Sequence, residues 1–127
     1  MRIFKNAWFA QFCGKQRISD ATLVDAVSRA ERGIVDADLG GGVIKQRIAR
    51  AGRGKSGGYR TIILYVEKQR AFFVYGFAKS DRENIEREEL AYFKAMAKEV
   101  LKLSDMHLAE LVKRGKFSEI VDDDEDL

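Results

Sequence analysis

Between Lys45 and Arg60 the chain holds six basic residues, Lys45, Arg47, Arg50, Arg53, Lys55 and Arg60, and no acidic one. Cations at this density with no counter-charge between them point to a polyanionic partner. The same residue types suit one reaction in particular. In RNA a ribose 2′-hydroxyl can attack its own phosphate, so the protein need not supply a nucleophile or a metal. What it must supply is alignment, stabilisation of the charge that builds on the phosphorane, and movement of protons. Arginine is charged at any physiological pH. A lysine held among other cations gives up its proton more readily and can serve as a base. Simple phosphate binding uses the same residues, so residue types leave the catalytic and the non-catalytic reading open.

Other chemistries find little support. Ala49 to Ser56, A-R-A-G-R-G-K-S, fits a relaxed version of the phosphate-binding loop of NTPases. That loop must open a helix whose N-terminal amides hold the phosphates. Here Gly57-Gly58 and a β-rich run follow, and Ala49 stands where the first glycine belongs. The segment reads instead as a basic loop that brings Arg53, Lys55 and bare amides to a nucleic-acid backbone. His107 is the only histidine and Cys13 the only cysteine, so no zinc site and no cofactor is expected. His107 reads as an ordinary residue of a late helix. There is no serine-centred nucleophile elbow and no acid pair in the basic region.

The elements that must carry these residues can be read from periodicity. Three strands are expected, over Val43–Ala49, Tyr59–Val66 and Arg70–Ala78. In the first, alternation sets Val43, Ile44, Gln46 and Ile48 against Lys45, Arg47 and Ala49, so Lys45 and Arg47 share one face. The second is apolar on both faces and therefore central, with Arg60 entering it from the wet end. The third is apolar and aromatic, and also internal. Before them, Arg2–Phe4 forms a short strand. Asn6 caps a helix that ends near Gly14 and buries Trp8, Phe9 and Phe12. Ser19-Asp20 caps a second helix, with Leu23, Val24, Val27 and Ala30 inside and Gly33 as its stop. Asp36–Gly42 reads as a loop. After the sheet, a third helical region begins at Asp81 and carries Ile85, Leu90, Phe93, Met96, Ala97, Val100 and Leu101 on its inner face. Ser104-Asp105 caps a last helix with Met106, Leu108, Leu111 and Val112 inside and Gly115 after it. Phe117–Val121 is a short apolar segment.

The expected fold is α+β: a small twisted, mainly antiparallel sheet with an N-terminal helical hairpin and C-terminal helices. A chain of 127 residues suits one domain. It is expected over residues 1–121, with a helical extension from about residue 104. Residues 122–127 form an acidic tail, expected to be disordered. That tail carries five acids, so a net charge of +3 for the whole chain leaves +8 on residues 1–121. Lys45 to Arg82 holds ten basic residues against Glu67 and Asp81, which accounts for that whole excess. A lone cysteine fits a reducing compartment, and the expected location is the cytoplasm. No apolar run approaches the ~20 residues of a membrane helix.

The order of elements and the wording of two segments resemble the RelE/ParE superfamily of bacterial type II toxin–antitoxin modules, and most closely its HigB-like branch. The segments are K-Q-R-I-A-R-A-G-R-G-K-S-G-G-Y-R-T-I, from Lys45 to Ile62, and F-F-V-Y-G-F-A-K-S-D-R-E-N, from Phe72 to Asn84. The resemblance covers about residues 1–100 and leaves the helix after Ser104 and the tail outside the pattern. It implies a RelE-like fold and a ribosome-dependent mRNA interferase. Its partners would be mRNA, the ribosome and a cognate antitoxin of the helix-turn-helix kind. Carried onto this chain, Arg60 would stabilise the scissile phosphate, Lys45 and Arg47 would grip the RNA, and Arg53 and Lys55 would anchor the loop, with Arg50 beside them. Lys79 would move protons. Relatives carry a tyrosine two residues before that lysine, where this chain has Phe77, and Tyr75 shares its facing and is the substitute. Two other functions stay open: a ParE-like toxin that binds gyrase without nuclease chemistry, and a non-catalytic RNA-binding protein.

Overall fold

A computed structural model describes residues 1–50 and 54–121. The expectations for Arg53 and for the acidic tail fall outside the described residues, as does the side chain of Lys55. Six strands and four helices follow one another as β1 (Arg2–Asn6), α1 (Ala7–Gln16), α2 (Asp20–Glu31), β2 (Ala37–Gly40), β3 (Val43–Arg50), β4 (Gly54–Val66), β5 (Arg70–Ala78), α3 (Arg87–Val100), α4 (Asp105–Lys113) and β6 (Phe117–Ile120). The strands form one sheet in the order β2-β3-β4-β5-β1-β6. Every neighbouring pair is antiparallel except β1 and β5. The α+β architecture is therefore as expected, and β4 and β5 are interior strands.

Two apolar layers sandwich the sheet. On one face α1 and α2 bury Phe9, Leu23, Val27 and Ala30 against Ile44, Ile48, Ile63 and Phe73. On the other, α3 and α4 bury Phe93, Ala97 and Leu108 against Val43, Ile62, Leu64 and Phe72. The side-chain caps fall where the sequence puts them: Asn6 accepts from the N–H of Phe9, Ser19 from Thr22 and Ser104 from His107. Gly76 is where α1 meets the sheet most closely. A Cβ there would lie 2.8 Å from Cε2 of Phe12 and 3.1 Å from Cε1 of Phe9.

The structure corrects several expectations. The stretch read as a loop before β3 contains β2, which pairs with β3 through Ala37–Lys45 and Asp38–Ile44. Gly40, Gly41 and Gly42 all have positive φ, so the turn between the two strands uses three successive left-handed residues that only glycine adopts cheaply. α1 runs two residues past Gly14. Asp81 does not begin α3: a capping box between Glu86 and Glu89 starts the helix at Arg87. Phe117–Ile120 is an edge strand, paired with β1. Trp8 is 45% exposed and Met106 81% exposed, so neither belongs to the core. Trp8 instead stacks on Phe12 and Tyr75 at the surface.

Candidate nucleic-acid interface

Register decides which cations meet. Arg47 on β3 pairs with Arg60 on β4, which pairs with Phe77 on β5. The next row along is Lys45, Ile62 and Tyr75. Ile62 packs in the layer under α3, so both rows belong to that face. A bulge sets the β5 end of each row. Ile62 pairs with Tyr75 but Ile63 pairs with Phe73, so Val74 is an extra residue. Phe73 thus faces the helical hairpin while Tyr75 and Phe77 turn to the basic face. The carbonyl of Val74 accepts a hydrogen bond from Nδ2 of Asn6 at 3.1 Å, so the residue that caps α1 also holds the bulge.

Arg60 is only 7% exposed. Burial lowers its pKa, and the neighbouring Arg47 lowers it further; Asp36 acts in the opposite direction. Arginine is charged at neutral pH even so. The arrangement is a guanidinium held partly out of water beside a like charge, which favours an incoming anion. Asp36 does structural work here. One of its carboxylate oxygens accepts from the N–H of Arg47 at 2.6 Å and lies 3.8 Å from the guanidinium of Arg29. Arg29, buried under α2, donates to the carbonyl of Arg47 at 2.6 Å. Both backbone groups of Arg47 are therefore pinned from the side, past the end of β2. Gln46 supports the same corner. It is fully buried, accepts from the N–H of Asp36 at 2.7 Å and donates to the carbonyls of Ala26 and Ile34.

The other expected site residues separate. Lys79 lies one residue past β5 and donates its N–H to the carbonyl of Gly58 at 3.3 Å, next to the Arg60 row. Lys45 reaches Oδ1 of Asn84 at 3.4 Å. No carboxylate forms an ion pair with Lys45, Arg47 or Lys79 among the described residues. Arg50 is not brought to this face. A register shift between Ile48 and Arg50 lets its guanidinium sit 5.5 Å from the ring centroid of Tyr59, on the side of the helical hairpin. His107 is exposed on α4, in its first turn. Among the described residues, no group of three or more His, Cys, Asp or Glu is placed to hold a metal.

Sequence reasoning missed Arg82. Its guanidinium donates to both carboxylate oxygens of Glu89, to Oη of Tyr75 at 3.0 Å and, through Nε, to the carbonyl of Asn84 at 2.9 Å. It also stacks over Phe77 and Tyr75, 5.4 and 5.9 Å from their centroids. The bond to Glu89 raises its pKa and lowers that of Glu89. Nothing in the spacing shows this, because Arg82 lies in the turn before α3 and Glu89 in its first turn. On the far side of Tyr75, Trp8 stacks at 4.7 Å and forms one wall of a cleft of about 450 Å3 with Tyr92, Phe93 and Met96.

None of the curated proteins matches the sequence. A family model described as the RelE toxin of the RelE/RelB toxin–antitoxin system matches residues 1–120. The match extends past residue 100, where the resemblance was expected to end, and takes in α4 and β6. On a match over nearly its whole length, this chain belongs to the RelE family of toxins from toxin–antitoxin systems.

Proposed function

We propose that the protein is a ribosome-dependent mRNA endoribonuclease of the HigB-like kind, held inactive by a helix-turn-helix antitoxin. The observation that carries this is the row Arg47–Arg60, flanked by Lys45 and Lys79, on a sheet face with no carboxylate paired to Lys45, Arg47 or Lys79 among the described residues. A phosphate seated over Arg60 meets fixed positive charge that needs no reorganisation as the phosphorane forms. The RNA supplies the nucleophile. Its 2′-oxygen bonds to phosphorus, the 5′-oxygen leaves, one proton is lost from the 2′-hydroxyl and one is gained by the leaving group. Lys79 is the residue assigned to proton transfer, and Lys45 and Arg47 hold the flanking backbone.

The test is primer extension on an mRNA incubated with the purified protein, with and without translating ribosomes. Cuts that appear only with ribosomes and in register with codons support the reading. Arg60→Ala then removes most of the activity while ribosome affinity falls little. No cuts from folded protein freed of antitoxin would refute it and turn attention to gyrase binding. Equal losses of binding and cutting in Arg60→Ala would reduce Arg60 to a phosphate grip.

A further inference from the structure

Arg82 carries a charge on the basic face, yet its contacts are wrong for a phosphate clamp. Four of its N–H groups are engaged, two of them on the carboxylate of Glu89. Glu89 is itself tied down, since its Oε1 accepts from the N–H of Glu86 at 2.8 Å in the capping box of α3. The guanidinium is neutralised, oriented by the first turn of a helix, and stacked on Phe77. Its one hydrogen bond that goes neither to the carboxylate nor to backbone is to the hydroxyl of Tyr75.

We infer that Arg82 is a positioning residue that fixes the Tyr75 hydroxyl as a hydrogen-bond donor toward RNA bound on the basic face. This rests on the nuclease reading above. The chemistry is directional. A guanidinium has no lone pair to offer, so Tyr75 must accept from it. With its oxygen occupied on that side, the phenol's own O–H turns away from Arg82 and is left to donate. The bulge at Val74 puts Tyr75 in the same cross-strand row as Lys45 and one row from Arg60. Trp8, Phe77 and Phe93 hold the ring on its other sides. The turn from Arg82 to Asn84 therefore braces two groups of the face at once: Tyr75 through the guanidinium, and Lys45 through the Asn84 side chain. A phosphate oxygen over Arg60 would find a rigid neutral donor beside the cations. Such donors stabilise charge that develops in the transition state more than charge already present in the substrate.

The experiment is single-turnover mRNA cleavage on programmed ribosomes by the wild type, Tyr75→Phe, Arg82→Gln, Arg82→Lys and the double variant Tyr75→Phe/Arg82→Gln, with thermal melts of each. Loss of one preorganised donor is expected to slow the cleavage step of Tyr75→Phe by about 100-fold with ribosome affinity unchanged. Arg82→Gln slows the same step by about tenfold or more, Arg82→Lys by less, and the double variant is no slower than Tyr75→Phe, because Arg82 acts through Tyr75. Two results would overturn the inference alone: a wild type that cuts while Arg82→Gln cuts equally well, or a double variant whose loss is the product of the single losses. A merely structural role would lower the melting temperature of Arg82→Gln without this non-additivity. A wild type that never cuts removes the nuclease reading, and this inference falls with it.

Discussion

Replacing Arg47 by glutamine should make the protein more stable and worse at holding RNA. Arg47 and Arg60 are direct cross-strand partners, and the proximity of Arg47 contributes to the lowered pKa of Arg60. Like charges facing each other across a strand pair destabilise by about 0.2–1 kcal/mol. Glutamine removes the charge and keeps both backbone contacts, since Asp36 and Arg29 bind only the N–H and the carbonyl of residue 47. Removing the repulsion is therefore expected to return that energy, which for a domain of this size is a rise of about 1–5 °C in melting temperature. Because Arg47 is exposed, salt should screen the effect: the gain seen in dilute buffer should vanish near 1 M salt, where the screening length is about 3 Å. The same change removes one phosphate contact, so the slope of log affinity for single-stranded RNA against log salt should shrink by about 0.7. Differential scanning calorimetry at two salt concentrations and fluorescence anisotropy with a labelled RNA test both halves. A melting temperature that falls in dilute buffer, or an unchanged salt slope, would refute the argument that this pair is a strained anion site.

Gln46→Leu should destabilise by about 3 kcal/mol or more, because three backbone groups lose a buried partner at once; urea unfolding followed by circular dichroism measures it. Gly76→Ala forces a methyl against the rings of Phe12 and Phe9 and should cost about 1–3 kcal/mol by the same assay. Burial pushes the Cys13 thiol up to about 11 and, with help from Glu31, raises the Tyr65 phenol as well. Both groups hold their protons more tightly folded than unfolded, so stability should fall as pH rises past the unfolded values of about 8.5 and 10. For the thiol the loss is complete by about 11. Iodoacetamide at pH 8 should accordingly label Cys13 only in unfolded protein; rapid labelling of the native state would contradict its burial.

What was legible in the sequence was local or periodic. Asn6, Ser19 and Ser104 announce helix starts because their side chains cap within three residues. Lys45 and Arg47 could be assigned to one face because β3 alternates without interruption as far as Ile48. What escaped depends on partners distant in the chain. β2 is only four residues long, too short for its alternation to stand out, and exists because β3 offers it an edge. The start of α3 was hidden because its cap is a glutamate, outside the usual set. Arg50 went to the opposite side through a register shift that no residue type marks. The bulge at Val74 is equally silent, and without it Arg82 has no visible target. Trp8 shows the limit of helical spacing, which finds a face but cannot tell how much of it the sheet will cover.

The register also orders the folding of the chain. β3, β4 and β5 are successive strands that pair with their immediate predecessors, so the basic face closes from short-range contacts. β1 waits for a partner far along the chain, since Arg2 pairs with Arg70. It is sealed only when Ile120 comes to lie against Ile3. Contacts at such separation are the slow ones to form. On a ribosome synthesising this protein, the three strands that bear Arg47, Arg60 and Tyr75 have emerged while β6 has yet to be made. The face assigned here to RNA can thus assemble before the strand that locks the first one in place exists.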